Sequence, residues 1–166
     1  MNLPINKQTI LITGAGRGLG SEIAKSFHRE GGTVIINYRK SFESAKQLAT
    51  SLGERAILAQ GDVRNKDELV KIKQDLKKQN ITVDTIIHNA IDDYVFNGDK
   101  RKKIDEIEWS DFEKQIQTTQ KGFLNLIHVF TPDMKAKHFG RMVTIGTNLF
   151  QNPVVPYHDY TAAKGG

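Results

Sequence analysis

Eight residues constrain this chain more than any others: Thr13 to Gly20, read T-G-A-G-R-G-L-G. An apolar run, Thr9 to Ile12, leads into them, and a helical pattern with Leu19, Ile23 and Phe27 on one face leads out. A strand, a glycine-rich turn and a helix start in that order make a phosphate-binding device. Glycines let backbone approach an anion closely, and the helix N-terminus supplies unpaired N–H groups and a partial positive charge. The fingerprint G-x-G-x-x-G does not fit, because from Gly14 and Gly16 its last glycine falls on Leu19. The spacing that fits is T-G-x-x-x-G-x-G, through Thr13, Gly14, Gly18 and Gly20. Four glycines within seven residues exceed what a bare turn needs, which favours a phosphate site. No Gly-Lys-Ser/Thr follows, so the loop is not a P-loop.

Downstream, strands and helices alternate with short connections. Thr33–Asn37, Ala56–Gln60, Thr85–His88 and Arg141–Ile145 read as further strands. Leu19–Glu30, Phe42–Leu52 and Asp67–Lys78 read as the intervening helices, the first two closed by glycines. That alternation predicts βαβ units, a parallel sheet and right-handed crossovers. Ile91 to Glu108 reads as a flexible polar loop, with Asp92 and Asp93 as solvated charges. Trp109–Phe130 reads as a long helix anchored by Trp109, with Pro132 opening a separate short piece to about His138. Asp159–Gly166 starts a helix that stops short, leaving the fifth strand as a bare edge. The expectation is one dinucleotide-binding domain over residues 1–166 that continues in a longer protein, with this piece alone poorly stable or inactive.

Composition narrows the class. With 38% hydrophobic and 26% charged residues the chain suits a globular domain rather than disorder. Zero cysteines exclude disulfides and thiolate metal sites, and the five histidines lack metal-ligand spacing, so no metal is expected. No apolar run would span a bilayer, and Met1–Gln8 has no signal pattern, so a cytoplasmic location without membrane contact is expected. The net charge of +5 is concentrated in Lys71–Lys78 and Lys100–Lys103. The first run alternates with Ile72 and Leu76 as the wet side of a helix, and the second lies in a loop, so neither reads as a nucleic-acid surface.

The dinucleotide can be argued from charge. An acidic residue after the second strand would hold a ribose hydroxyl and repel a 2′-phosphate. Here the sequence is Asn37-Tyr38-Arg39-Lys40-Ser41, with Arg17 able to approach from the glycine loop. Guanidinium groups suit phosphate, so NADP(H) is favoured and NAD(H) stays open.

Near the end stands Tyr160-Thr161-Ala162-Ala163-Lys164, a Y-x-x-x-K that puts both side chains on one helical face. Joined to the T-G-x-x-x-G-x-G loop on a five-strand pattern, it closely resembles the short-chain dehydrogenase/reductase family, in particular its bacterial 3-oxoacyl-acyl-carrier-protein reductase-like members. The resemblance implies a Rossmann-like, doubly wound parallel sheet with helices on both faces, here ending after the fifth strand. It implies cofactor contacts from Thr13, Gly14, Arg17, Gly18, Leu19, Gly20, Tyr38 and Arg39. Asp62 and Val63 would meet the adenine, and Asn89 and Ala90 the ribose. Tyr160 would be the acid/base, Lys164 would bind the nicotinamide ribose and lower the tyrosine pKa, Thr147 would orient the carbonyl, and Thr119 would serve a proton relay. Three positions depart from the family pattern: Ile91 for glycine, Thr147 for serine and Thr119 for asparagine.

The function implied is NADPH-dependent reduction of a ketone to an alcohol, most simply a 3-oxoacyl thioester, free or carried by a protein. The alternatives are a sugar or alcohol dehydrogenase of the same family, or a cofactor-binding protein with little turnover. The family resemblance also implies a homo-oligomer, a tetramer or dimer.

Overall fold

The computed structural model describes residues 3–166; residues 1 and 2 of the expected domain and of its N-terminal stretch lie outside it. Five strands, β1 (Thr9–Ile12), β2 (Thr33–Tyr38), β3 (Ala56–Gln60), β4 (Thr85–His88) and β5 (Arg141–Thr144), form one parallel sheet in the order β3-β2-β1-β4-β5. Its central strands are apolar on both faces, so each face can bury a helical layer. Ile10, Ile12, Val34, Ile36 and Ile87 point to one side, against Ala24 of α1 (Gly18–Arg29) and Ala45 and Leu48 of α2 (Phe42–Leu52). Leu11, Ile35 and Ile86 point to the other. There they meet Leu69, Ile72 and Leu76 of α3 (Lys66–Lys78) and Leu126, Val129, Phe130 and Met134 of α5 (Gly122–Ala136). This is the parallel sheet that the alternating pattern predicts, doubly wound as the family resemblance implies. β5 is an edge strand, with Val143 44% exposed.

The helix predicted over Trp109–Phe130 differs from expectation in three ways. It is α4 (Trp109–Ile116), a wider π-helical turn over Gln117–Lys121, and then α5. It also runs through Pro132 to Ala136 without a break. The missing N–H costs little there, because Pro132 and His128 both face solvent while Phe130 and Met134 hold the same stretch on the core. Trp109 does not anchor the helix in the core: it is 70% exposed and stacks on Phe112 at 6.3 Å.

The lysine run on α3 does more than face water. Lys73 Nζ donates to the Val129 carbonyl at 2.8 Å and pairs with Asp133 at 3.1 Å, and Lys77 joins the same carboxylate. The 91–108 segment is also not free. Arg101 makes two 2.6 Å bonds to Asp159 at the start of α6 (His158–Gly165), and Tyr94 donates to the same carboxylate at 3.0 Å. Among the described residues no helix is long and apolar enough to cross a membrane, and no group of three or more histidine or acidic side chains is placed to hold a metal ion.

Leu126 is fully buried where α5 meets the sheet. Leu126→Ala is expected to lower unfolding free energy by about 2–5 kcal/mol, measured by urea titration, through lost transfer energy and the cavity left behind.

Candidate active site

Parallel strands bring all their C-terminal ends to one edge of the sheet. The chain leaves β1 toward β2 and returns beside β1 with β4, so the loops after β1 and β4 part and open a crevice between them. That crevice is a cleft of about 750 Å³. Its wall includes Gly14, Arg17, Gly18 and Leu19 from the first turn, Tyr38 and Arg39 at the end of β2, and Asp62 and Val63 after β3. Asn89 and Ala90 after β4, and Tyr160 and Lys164 on α6, complete it. Twelve of the residues singled out from the sequence thus share one cavity. Thr13, Gly20, Thr119 and Thr147 do not line it.

The glycine loop is shaped for close approach. Gly14 and Gly18 have φ of +64° and +55°, values that side chains with a Cβ rarely adopt. The position a Cβ would take on Gly18 has no heavy atom within 4 Å, so this backbone is bare toward the cleft. Gly20 serves packing instead: a Cβ there would meet Asn89 Nδ2 at 2.7 Å as well as the Gly14 carbonyl. The N-cap of α1, Arg17, makes no side-chain cap bond, and the first turn carries no acidic residue. The helix N-terminus therefore keeps its donors and its positive end for an external anion, which suits a dinucleotide pyrophosphate.

Thr13 lies behind the wall, with no exposed surface. Its hydroxyl oxygen accepts from the N–H groups of Asn89 and Ala90, both at 3.1 Å. With its lone pairs so used, it donates its hydrogen to His88 Nδ1 at 3.0 Å. His88 Nε2 then carries the proton and donates to the Thr119 carbonyl at 2.9 Å. Burial lowers the His88 pKa from 6.5 to about 4, so the ring is neutral at pH 7. The Asn89 amide donates to the carbonyls of Thr13 and Gly14 at 3.1 and 3.2 Å, which pins the glycine loop to the end of β4.

Tyr160 and Lys164 sit one turn apart on α6, both on the cleft wall. Burial pushes the Tyr160 phenol above its ordinary value, and a hydrogen bond with Thr147 pulls it back in part. Lys164 is not among the causes of this shift. Lys164 Nζ instead donates to the Ile145 carbonyl at 2.6 Å, and burial lowers its own pKa to about 8. The Thr119 hydroxyl reaches the carbonyls of Gln115 at 2.8 Å and Ala163 at 3.1 Å, so it ties the long helix to α6 rather than facing the cleft. Its neighbour Thr118 takes the place on the wall. Tyr94 and Phe96 flank Tyr160, with ring centroids 5.0 and 5.1 Å away.

The other end of the cleft is charged. Asp62 is gripped by Arg64, whose Nη2 approaches to 2.6 Å; burial opposes ionisation, but this guanidinium prevails and holds the carboxyl below its usual range. Arg39 bonds Asp92 at 2.8 Å.

A family model for short chain dehydrogenases matches residues 8–166. The chain belongs to the short-chain dehydrogenase family. It is 27% identical over 162 residues to the 3-oxoacyl-(acyl-carrier-protein) reductase FabG of Staphylococcus epidermidis, covering 96% of this chain and 64% of that protein. It is 29% identical over 155 residues to the NADP-dependent 3-hydroxy acid dehydrogenase YdfG of Salmonella typhi, covering 93% of this chain and 60% of the other. Among solved structures, the serine dehydrogenase of Escherichia coli superposes with a TM-score of 0.83 at 26% identity, over 95% of this chain and 70% of that one. A closed form of serine dehydrogenase complexed with NADP+ gives 0.84 at 26% identity, over 95% and 61%. The chain thus spans under two thirds of the length of the curated relatives named here.

Tyr94, Phe96 and Thr118 on the wall were missed from sequence, and Asp92 and Asp93 were read only as solvated charges. The two aspartates had a readable signal. They follow β4 as Arg39 and Lys40 follow β2, so two short runs of opposite charge end on the same sheet edge. The aromatic pair had none, because Tyr94 and Phe96 meet Tyr160 only through tertiary packing.

His88 gives a pH signature. A folded pKa below the unfolded 6.5 means that stability is fully present above 6.5 and is lost as pH falls toward about 4. The loss attributable to this ring is expected to be on the order of 3 kcal/mol. NMR of the imidazole nitrogens should show a proton on Nε2 and a midpoint near 4; a midpoint near 6.5 would refute the buried neutral ring.

Proposed function

We propose that the protein is an NADP(H)-dependent reductase of a ketone, with a 3-oxoacyl thioester as substrate class. One observation carries the reading: the Tyr160–Lys164 pair faces the same cleft as the bare glycine loop and Arg39. The names of the FabG and YdfG relatives support it.

The backbone donors at the start of α1 hold the pyrophosphate. Arg39 and Lys40 hold the 2′-phosphate, for which guanidinium and ammonium groups are suited. When bound, the reduced nicotinamide supplies a hydride to the carbonyl carbon. Tyr160 donates its phenolic proton to the carbonyl oxygen as negative charge develops there. Thr147, hydrogen-bonded to Tyr160, orients that oxygen and stabilises the developing alkoxide. Lys164, held by the Ile145 carbonyl, places an ammonium where it binds the ribose and favours the phenolate left on Tyr160. The single hydrogen of the Thr119 hydroxyl is shared between the Gln115 and Ala163 carbonyls, and no proton step is routed through it. Tyr94 and Phe96 give the Tyr160 end an aromatic wall, which favours an acyl chain over a polyol.

The test is loss of reduced-cofactor absorbance with NADPH and an acetoacetyl thioester. Tyr160→Phe is expected to lower kcat by about 100-fold or more while leaving NADPH affinity unchanged. Parental activity in that variant would sink the mechanism. If charged Lys164 is required, kcat/KM for reduction should fall as pH rises through about 8. A profile flat across that midpoint would count against its role.

A further inference from the structure

Carboxylates and cations converge at the mouth of the cleft, where the ends of β2, β3 and β4 meet. Arg39 is the centre: it contacts Asp92 at 2.8 Å, Asp93 at 3.4 Å and Asp62 at 3.9 Å. Arg17 and Lys40 approach Asp93 at 3.6 and 3.7 Å, and Arg64 approaches Asp92 at 3.7 Å. Strand order makes this a bridge. Because β1 lies between β2 and β4, Asp92 and Asp93 reach Arg39 only across the end of β1, over the glycine loop. Arg17, Arg39 and Lys40 are the cations a 2′-phosphate would use, and carboxylates of the chain itself already pair with them.

We propose that Asp92 and Asp93 are a built-in counter-anion in the 2′-phosphate subsite, that the phosphate of NADP(H) displaces them, and that this exchange sets how strongly the chain selects the phosphorylated cofactor. This rests on the NADP(H) reading above. A phosphate monoester brings roughly −1.5 to −2 charges and three acceptor oxygens, so it can replace the carboxylates and leave Arg39 satisfied. A ribose hydroxyl brings no charge and leaves the Arg39–Asp92 pair in place. That pair is the effective part of the bridge: its side chains are only 25% and 13% exposed, whereas Arg17 and Asp93 are 78% and 68% exposed and solvent weakens their attraction. The bridge also continues into the substrate end, because Tyr94 follows Asp93 directly and packs on Tyr160.

The probes are adenosine 2′,5′-bisphosphate and adenosine 5′-monophosphate, measured by calorimetry at fixed ionic strength on wild type and on the Asp92→Asn/Asp93→Asn variant. The variant is expected to bind the bisphosphate about tenfold more tightly, and the monophosphate with less than about threefold change. Equal gains for both ligands would overturn the selection claim. Unchanged bisphosphate affinity would overturn the counter-anion while leaving the NADP(H) reading intact. Weaker monophosphate binding in the variant would overturn it in favour of carboxylates that hold ribose hydroxyls. Failure of wild type and variant alike to bind the bisphosphate would remove the NADP(H) reading as well. Wild-type hydrogen exchange gives an independent readout that needs no variant. The bisphosphate, and not the monophosphate, should speed exchange across residues 91–96, and protection of that segment by the bisphosphate would contradict displacement.

Discussion

The cleft depends on one buried hydroxyl. Thr13 Oγ1 accepts two backbone N–H groups from the turn after β4 and donates to His88, so one side chain fixes where two neighbouring strands end. His88 passes the constraint to the long helix through the Thr119 carbonyl, and Asn89 passes it back to the glycine loop. Thr13, His88 and Thr119 are buried, and an unpaired polar atom in such a place costs about 1–3 kcal/mol. The junction is therefore cooperative: no member can rotate away without stranding another. Thr13 earns its place in the phosphate-loop motif by holding the loop, while Gly14 and Gly18 present the backbone.

The long helix shows the same division between presenting and holding. Its π-helical turn over Gln117–Lys121 sits where the helix passes His88 and α6. Such wide turns often sit at functional sites, because they re-aim side chains within an otherwise regular helix. Here Thr118 joins the cleft wall while Thr119 turns its hydroxyl to the α6 backbone and its carbonyl to His88. Gly122 then lets the helix approach the end of β3, since a Cβ there would meet Val63 Cγ2 at 2.7 Å. The Thr119 hydroxyl, at 3.1 Å from the Ala163 carbonyl, ties the long helix to α6, which carries Tyr160 and Lys164.

Local pattern carried the architecture. Glycine-bounded strands such as Thr33–Tyr38 and stripes such as Leu69, Ile72 and Leu76 are readable because burial follows the strand or helix period. Most of the cleft wall was readable too, since parallel strands put every post-strand turn on one edge. What escaped depends on contacts distant in sequence. Pro132 reads as a stop, yet nothing in the local pattern reveals that it and His128 lie on the exposed side of a continuing helix. The hydroxyl of Thr119 reads as a cleft group until α6 supplies the Ala163 carbonyl 44 residues away. The 91–108 segment reads as a solvated loop because its apolar and charged residues follow neither period. Its order comes from Asp159, more than fifty residues on.

That segment joins the two chemical ends of the cleft. At one end Asp92 meets Arg39; at the other Tyr94 packs on Tyr160 and shares Asp159 with Arg101, whose guanidinium lies 4.0 Å from the Tyr94 ring. Burial and the Asp159 carboxylate push the Tyr94 phenol well above its ordinary range, which keeps it a neutral donor in this cluster. The Arg101–Asp159 pair is firm because Asp159 is 2% exposed and both its oxygens are engaged, so releasing it would leave a buried charge without its partner. The Arg39–Asp92 pair is wetter and can be exchanged for another anion at far lower cost. A strap with one firm and one exchangeable end moves at the exchangeable end first. In this chain that end lies at the Arg39 side of the cleft, while the firm end keeps the aromatic wall against Tyr160.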